Sequence, residues 1–288
     1  MAPHSRIESK HSFPFINYIN VRCGSLGKSS TMTRILGFML LGTVLACIAP
    51  VRPARSRSLV NLAAAPISRT NLPWWRTRFE QTLYTARADP GAKLVWLGDS
   101  ITQYWQRTGP MNRDNILPIW DRYYAPYNAL DFGFVGDTTA SLIWRIDHGQ
   151  LAQLHPKLVI ILIGANNLGA PHWGARDTIP GIEAVVADVH RHLPKTRILL
   201  LGILPSIRSP WITIETDKIN ARLASIYTRN HLVTYRNVGI VLERNGQPDA
   251  DLYMDPFFSP PEPALHPDRA GMTLIAKALA PTVSALMR

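Results

Sequence analysis

Short, continuous apolar runs alternate along this chain with longer stretches in which apolar residues recur every three or four positions. Residues 93–98, 129–134, 158–164, 197–204 and 232–237 are runs of the first kind. Their length and lack of polar alternation predict strands buried on both faces. Residues 71–88, 138–151, 179–193, 213–230 and 269–287 show the second pattern. In 71–88, for example, Trp75, Phe79 and Leu83 share one side of a predicted helix. Residues 101–107 can begin a further short helix, and 105–128 read as loop and short helix. The aromatics there, Trp120, Tyr123, Tyr124 and Tyr127, read first as packing. Strands alternating with amphipathic helices predict an α/β domain with a five-stranded, parallel, doubly wound sheet.

Composition removes two function classes. The net charge of +11 suggests a nucleic-acid partner until it is located: residues 1–58 hold eight of the 31 basic side chains and one of the 20 acidic ones. What remains is scattered, without a dense basic run, so nucleic-acid binding is rejected. Both cysteines, Cys23 and Cys47, lie outside the predicted domain, which leaves it without a thiol nucleophile or a Cys-based metal site. His190 and His192 stand two apart on a helix and face different ways, and no other histidine has a partner at ligand spacing. No metal is expected.

The N-terminal region reads as a targeting segment. Residues 35–51 are an uncharged apolar run preceded by Met32 and Arg34. A start at Met32 would give a signal peptide or membrane anchor within 32–65, with 1–31 as an extension that is non-native or disordered. The run is short for a spanning helix, and Arg52, Arg55 and Arg57 follow it, so both cleavage and anchoring stay open. Either way the expected location is periplasmic, secreted or membrane-anchored, with the folded domain at 66–288. Residues 24–29 resemble a phosphate loop but have two residues, not four, between their glycines.

Candidate chemistry gathers where the strands end. Asp99 and Ser100 follow the first strand, Gly136 the second, and Asn166 and Asn167 the third, while His266 precedes the last helix in a proline-rich loop. In open α/β sheets ligands bind at that edge. Taken singly, these residues read as a turn, a helix cap and a surface histidine. Together they supply a hydroxyl, candidate oxyanion donors and a base, which is the set acyl transfer needs.

The ordered blocks Gly98-Asp-Ser-Ile101, Gly136-Asp-Thr-Thr139, Gly164-Ala-Asn-Asn167 and Leu265-His-Pro267 resemble the GDSL, or SGNH, hydrolases. The likeness is nearest to the catalytic-subunit type of platelet-activating factor acetylhydrolase and its bacterial relatives. Asp131-Phe-Gly133, Trp144-Arg145 and Gly149-Gln-Leu151 fit that subgroup, and the similarity runs from about Trp74 onward. The resemblance implies a flavodoxin-like three-layer sandwich and ester hydrolysis without a cofactor. It also implies that Ser100 is the nucleophile, that His266 is its general base, and that the Ser100 N–H, Gly136 N–H and Asn166 side chain form the oxyanion hole. Asp99 and Asn167 would support them. The expected substrate is a short acyl ester, an acetyl ester above all, of a lipid or carbohydrate.

One position departs from the family pattern. The usual aspartate three residues before the histidine is replaced by Pro263. Glu262 is the expected substitute, with Asp255 a more distant one and a backbone carbonyl the remaining option. The departure keeps a non-catalytic carbohydrate- or lipid-binding relative open as an alternative, beside an acyltransferase using the same site. Residues 167–180, 206–211 and 246–263 are the expected pocket loops.

Overall fold

The computed structural model describes residues 60–288, and the readings of 1–31 and 32–51 as extension and leader lie outside them. The sheet contains β1 (Leu94–Gly98), β2 (Ala129–Gly133), β3 (Leu158–Leu162), β4 (Arg197–Leu201) and β5 (Val233–Arg236). All neighbours are parallel, in the order β2-β1-β3-β4-β5. The chain reverses direction across the sheet at β1, the switch point where such sheets bind ligands.

Each apolar run supplies both faces, because successive side chains point to opposite sides. Val95, Leu97, Val159, Ile161, Ile198 and Leu200 face one core. That core is closed by α4 (Thr139–Arg145), α5 (Ala175–His192) and α6 (Pro210–Tyr227). Leu94, Trp96, Leu158, Ile160, Leu199 and Leu201 face the other, closed by α3 (Leu117–Tyr123) and α7 (Arg269–Met287). Trp120 and Tyr124 are buried in this second core, as packing residues. A third cluster joins α1 (Pro73–Ala88) to the sheet edge through Trp75, Phe79 and Phe134. By length and apolar composition α7 could cross a membrane. Here its face Met272, Ile275, Ala276, Leu279 and Val283 is buried in the core.

Several boundaries differ from the sequence reading. The helix expected over 138–151 is α-helical only to Arg145; a π turn over Ile146–Gln150 follows, and the chain leaves the helical path at His148 and Gly149, where Gly149 takes φ +90°. Helix α5 begins at Ala175, four residues before the start that the apolar pattern gave, so Pro180 lies within it rather than at its first turn. Its first amide, at Ala175, is satisfied by Glu215 Oε2 at 2.5 Å, a cap supplied from α6 and invisible locally. The folded domain also reaches back before residue 66. Ala63 is fully buried, its carbonyl accepts from Thr139 Oγ1 at 2.6 Å, and Asn61 Nδ2 donates to the Asp177 carbonyl at 3.0 Å.

Candidate active site

Ser100 sits where β1 turns into the short helix α2 (Ser100–Gln103). The turn is tight: a Cβ on Gly98 would lie 2.3 Å from the Leu162 carbonyl oxygen and 2.1 Å from Thr102 Oγ1. Asp99 caps α2 by accepting the Ile101 N–H on Oδ1 at 3.0 Å. Its carboxylate is buried, and desolvation, opposed by that amide and by the charge of His266, pushes it up to about 6. Ser100 occupies the first helical position, where an N–H has no acceptor within the helix.

Beyond β2, Phe134–Asp137 form a turn closed by the Asp137 N–H on the Phe134 carbonyl at 3.1 Å. Gly136 takes φ +72°, the conformation required at the third position of a type II turn. Beyond β3, Asn166 Nδ2 donates one hydrogen to the Asp137 carbonyl at 3.0 Å, and a second hydrogen is left for another acceptor. Asn167 faces the other way. It is buried, accepts the Thr139 N–H at 3.0 Å and donates to Thr139 Oγ1 at 2.8 Å, tying β3 to the start of α4. Because β1 lies between β2 and β3, the loop that carries Ser100 leaves the sheet between those that carry Gly136 and Asn166, at the same edge.

His266 arrives from the loop before α7. Its Nε2 lies 2.9 Å from Ser100 Oγ and its Nδ1 lies 2.5 Å from Asp255 Oδ1. The other carboxylate oxygen of Asp255 accepts the Leu265 and His266 N–H groups at 2.8 and 2.6 Å. Burial would raise the Asp255 carboxyl, but the hydrogen bond and charge of His266 and these two amides together hold it below the usual carboxylate range. An ionised Asp255 can only accept here, which keeps the proton on Nδ1 as the hydrogen-bond donor and leaves the Nε2 lone pair facing the Ser100 hydroxyl. The Tyr104 ring packs 4.9 Å from the imidazole.

The expectation for Glu262 is corrected here. Glu262 is exposed, and it meets Asp255 only through its backbone N–H, which donates to the Asp255 carbonyl at 3.0 Å. The loop between Asp255 and His266 folds back so that two of its own amides and the imidazole converge on one carboxylate. That closure needs an aspartate eleven residues before the histidine, and spacing in the sequence did not reveal it.

Two arginines outside the expected set brace these loops. Arg113 Nη1 donates to the Asp251 carbonyl at 2.9 Å, the Tyr253 carbonyl at 3.3 Å and Asp268 Oδ2 at 2.7 Å, and its guanidinium lies 3.8 Å over the Phe257 ring. Arg208 donates to the Ala165 carbonyl at 3.0 Å, and the neighbouring Ile207 N–H donates to the Ala264 carbonyl at 3.0 Å. The loop after β4 therefore links the Asn166 side of the site to the His266 side.

Residues 96–274, well over half of the chain, match the model of the GDSL-like lipase/acylhydrolase family. The chain is 33% identical over 122 residues to platelet-activating factor acetylhydrolase IB subunit alpha1 of Bos taurus. That alignment covers 42% of this chain and 47% of the bovine protein, so the chain matches about half the length of that relative. A GDSL-like lipase from Bacteroides thetaiotaomicron superposes with a TM-score of 0.54 at 16% identity, over 72% of this chain and 97% of that one. A carbohydrate acetylesterase family member from Sinorhizobium meliloti gives 0.52 at 16% identity, over 68% and 98%. At these identities the two structures share the fold.

Proposed function

The chain belongs to the GDSL-like lipase/acylhydrolase family, and on that premise we propose that it is a serine esterase that removes a short acyl group through an acyl-enzyme. The observation that carries the reading is the relay Asp255–His266–Ser100, with contacts of 2.5 and 2.9 Å. His266 Nε2 takes the hydroxyl proton as Ser100 Oγ bonds to the ester carbonyl carbon. The carbonyl oxygen becomes an oxyanion facing the Ser100 N–H, the Gly136 N–H and the free Asn166 Nδ2 hydrogen. Collapse expels the alcohol, which receives the proton from His266, and water activated by the same imidazole then releases the acid. Each oxyanion donor contributes about 3–4 kcal/mol where removal has been measured in other enzymes.

The acetyl preference is supported by the name of the bovine relative, an acetylhydrolase. The alcohol is a lipid or a carbohydrate. The non-catalytic alternative rested on Pro263, and the contact between Asp255 and His266 removes that motive. The uncharged run at 35–51 supports export by a leader or anchor; recovery of the protein from the cytoplasmic fraction alone would refute it.

The test of the function is hydrolysis of p-nitrophenyl acetate, butyrate and octanoate by the full chain and by Ser100→Ala. The expected result is turnover that falls from acetate to octanoate and disappears in a folded Ser100→Ala protein. Turnover unchanged in that variant would overturn the reading. Ester exchange with an added alcohol in place of release of free acid would reassign the chain as an acyltransferase.

A further inference from the structure

The orientation of one peptide plane decides whether the Gly136 N–H can serve the site. The N–H of Gly136 and the C=O of Val135 belong to the same peptide unit, so they point in opposite directions. Type I and type II turns differ mainly in which way that central peptide faces. Turning it over would direct the Val135 oxygen where the Gly136 hydrogen now points. A carbonyl oxygen there would repel an oxyanion.

Two groups hold the unit as it is. Gln103 Oε1 accepts the Val135 N–H at 2.9 Å, on the near side. Arg69 Nη1 donates to the Val135 carbonyl at 2.8 Å and to Asp137 Oδ1 at 3.0 Å, gripping the turn on both sides of Gly136. The guanidinium lies so close that a Cβ on Gly136 would stand 3.1 Å from both of its terminal nitrogens. Arg69 precedes the region matched by the family, and its side chain is only 25% exposed.

Asp137 is the anchor for this grip. Its side chain is wholly buried, and desolvation raises its carboxyl, opposed by three donors. They are Trp75 Nε1 at 2.7 Å, Arg69 Nη1 at 3.0 Å and Arg145 Nε at 2.8 Å. Arg145, itself buried, also donates to the Gly98 and Phe132 carbonyls, each at 3.1 Å. Those oxygens belong to the ends of β2 and β1. The carboxylate is thereby fixed relative to the strand that carries Ser100.

We propose that Arg69 is a positioning residue that locks the Val135–Gly136 peptide with its N–H turned toward the oxyanion, Trp75 and Arg145 holding the carboxylate against which it works. The inference rests on the esterase reading above. Losing the lock turns over a fraction of the peptides, so kcat falls toward the limit of losing one oxyanion donor, about 10²–10³. Ground-state binding of the ester is unaffected.

Arg69→Met keeps the aliphatic stem and removes the donors. With p-nitrophenyl acetate, kcat is expected to fall about 10- to 100-fold with KM unchanged. Affinity for a trifluoromethyl ketone, whose adduct carries the oxyanion, should weaken by the same factor. A purely structural role would not produce that matched loss. Unchanged kcat and ketone affinity in a folded Arg69→Met protein would overturn the proposal. If Arg69→Met does not fold, Trp75→Phe decides by the same two measurements, since it removes one donor to Asp137 and retains a ring. A wild-type chain that neither hydrolyses the ester nor reacts with a serine-directed phosphonate would refute the esterase reading itself.

Discussion

Asp255 holds His266 at two points, Nδ1 through one carboxylate oxygen and the histidine's own N–H through the other, which also accepts the Leu265 N–H. The imidazole is thus fixed relative to its own backbone, and its tautomer is set by the carboxylate. Replacement by asparagine changes the second property alone. The amide oxygen can keep the backbone N–H groups, which turns the NH2 toward Nδ1. Nδ1 must then accept, Nε2 carries the proton, and the Ser100 hydroxyl has no base.

Asp255→Asn is therefore expected to reduce kcat by up to about 10⁴ while the protein stays folded. Glu262→Gln should remain within about twofold of wild type, because its side chain is exposed and only its backbone N–H touches the relay. Steady-state kinetics on p-nitrophenyl acetate for both variants checks the pair. A collapse in Glu262→Gln would return the third role to that residue.

The adjacent asparagines separate catalysis from stability. Asn166→Ala removes the side-chain donor with a free hydrogen, so kcat should drop about 10²–10³-fold with a modest change in melting temperature. Asn167→Ala leaves the buried Thr139 N–H without its acceptor, at a cost of about 1–3 kcal/mol, and takes one donor from the Thr139 hydroxyl, which still donates to the Ala63 carbonyl. Its expected signature is a lowered Tm with a smaller loss of kcat. Thermal melts beside kinetics for the two variants test the division, and interchanged signatures would reject it.

Asp131 predicts a stability that depends on pH in the less familiar direction. One oxygen accepts the Gly133 N–H at 2.8 Å, and the other is buried without a partner among the described residues. Burial, opposed by Arg78 and that amide, raises its carboxyl from 3.8 to about 7. The folded state therefore retains a proton that the unfolded chain releases at lower pH. Stability contributed by this group falls as pH rises from about 4 through about 7 and levels off above. Asp131→Asn is neutral throughout. It should exceed wild type at pH 8 by about 1 kcal/mol or more, roughly 2–4 °C in Tm, and lose that advantage at pH 5. Parallel pH dependences of Tm in the two proteins would contradict it.

Much of this architecture is written in the chain itself. Buried parallel strands need apolar residues on both faces, so β1, β3 and β4 stand out as runs, and their alternation with amphipathic helices fixes the fold class. Ser100, Gly136, Asn166 and His266 could be singled out because each lies just beyond such a run or beside a helix start. Both are local properties.

What only the tertiary structure decided depends on contacts between segments distant in sequence. Asp255 reaches His266 because the intervening loop folds back onto one carboxylate, and proximity in sequence pointed instead to Glu262. Arg69 and Trp75 meet Asp137 across more than sixty residues, Arg69 from the segment before α1 and Trp75 from α1 itself, whose apolar spacing reports burial and nothing of the carboxylate it touches. Helix α5 starts at Ala175 because Glu215 of α6 accepts its first amide. Hydrophobic periodicity encodes which face of an element is buried. A hydrogen bond needs a donor and an acceptor within about 3 Å, and the partner exists only after the elements pack.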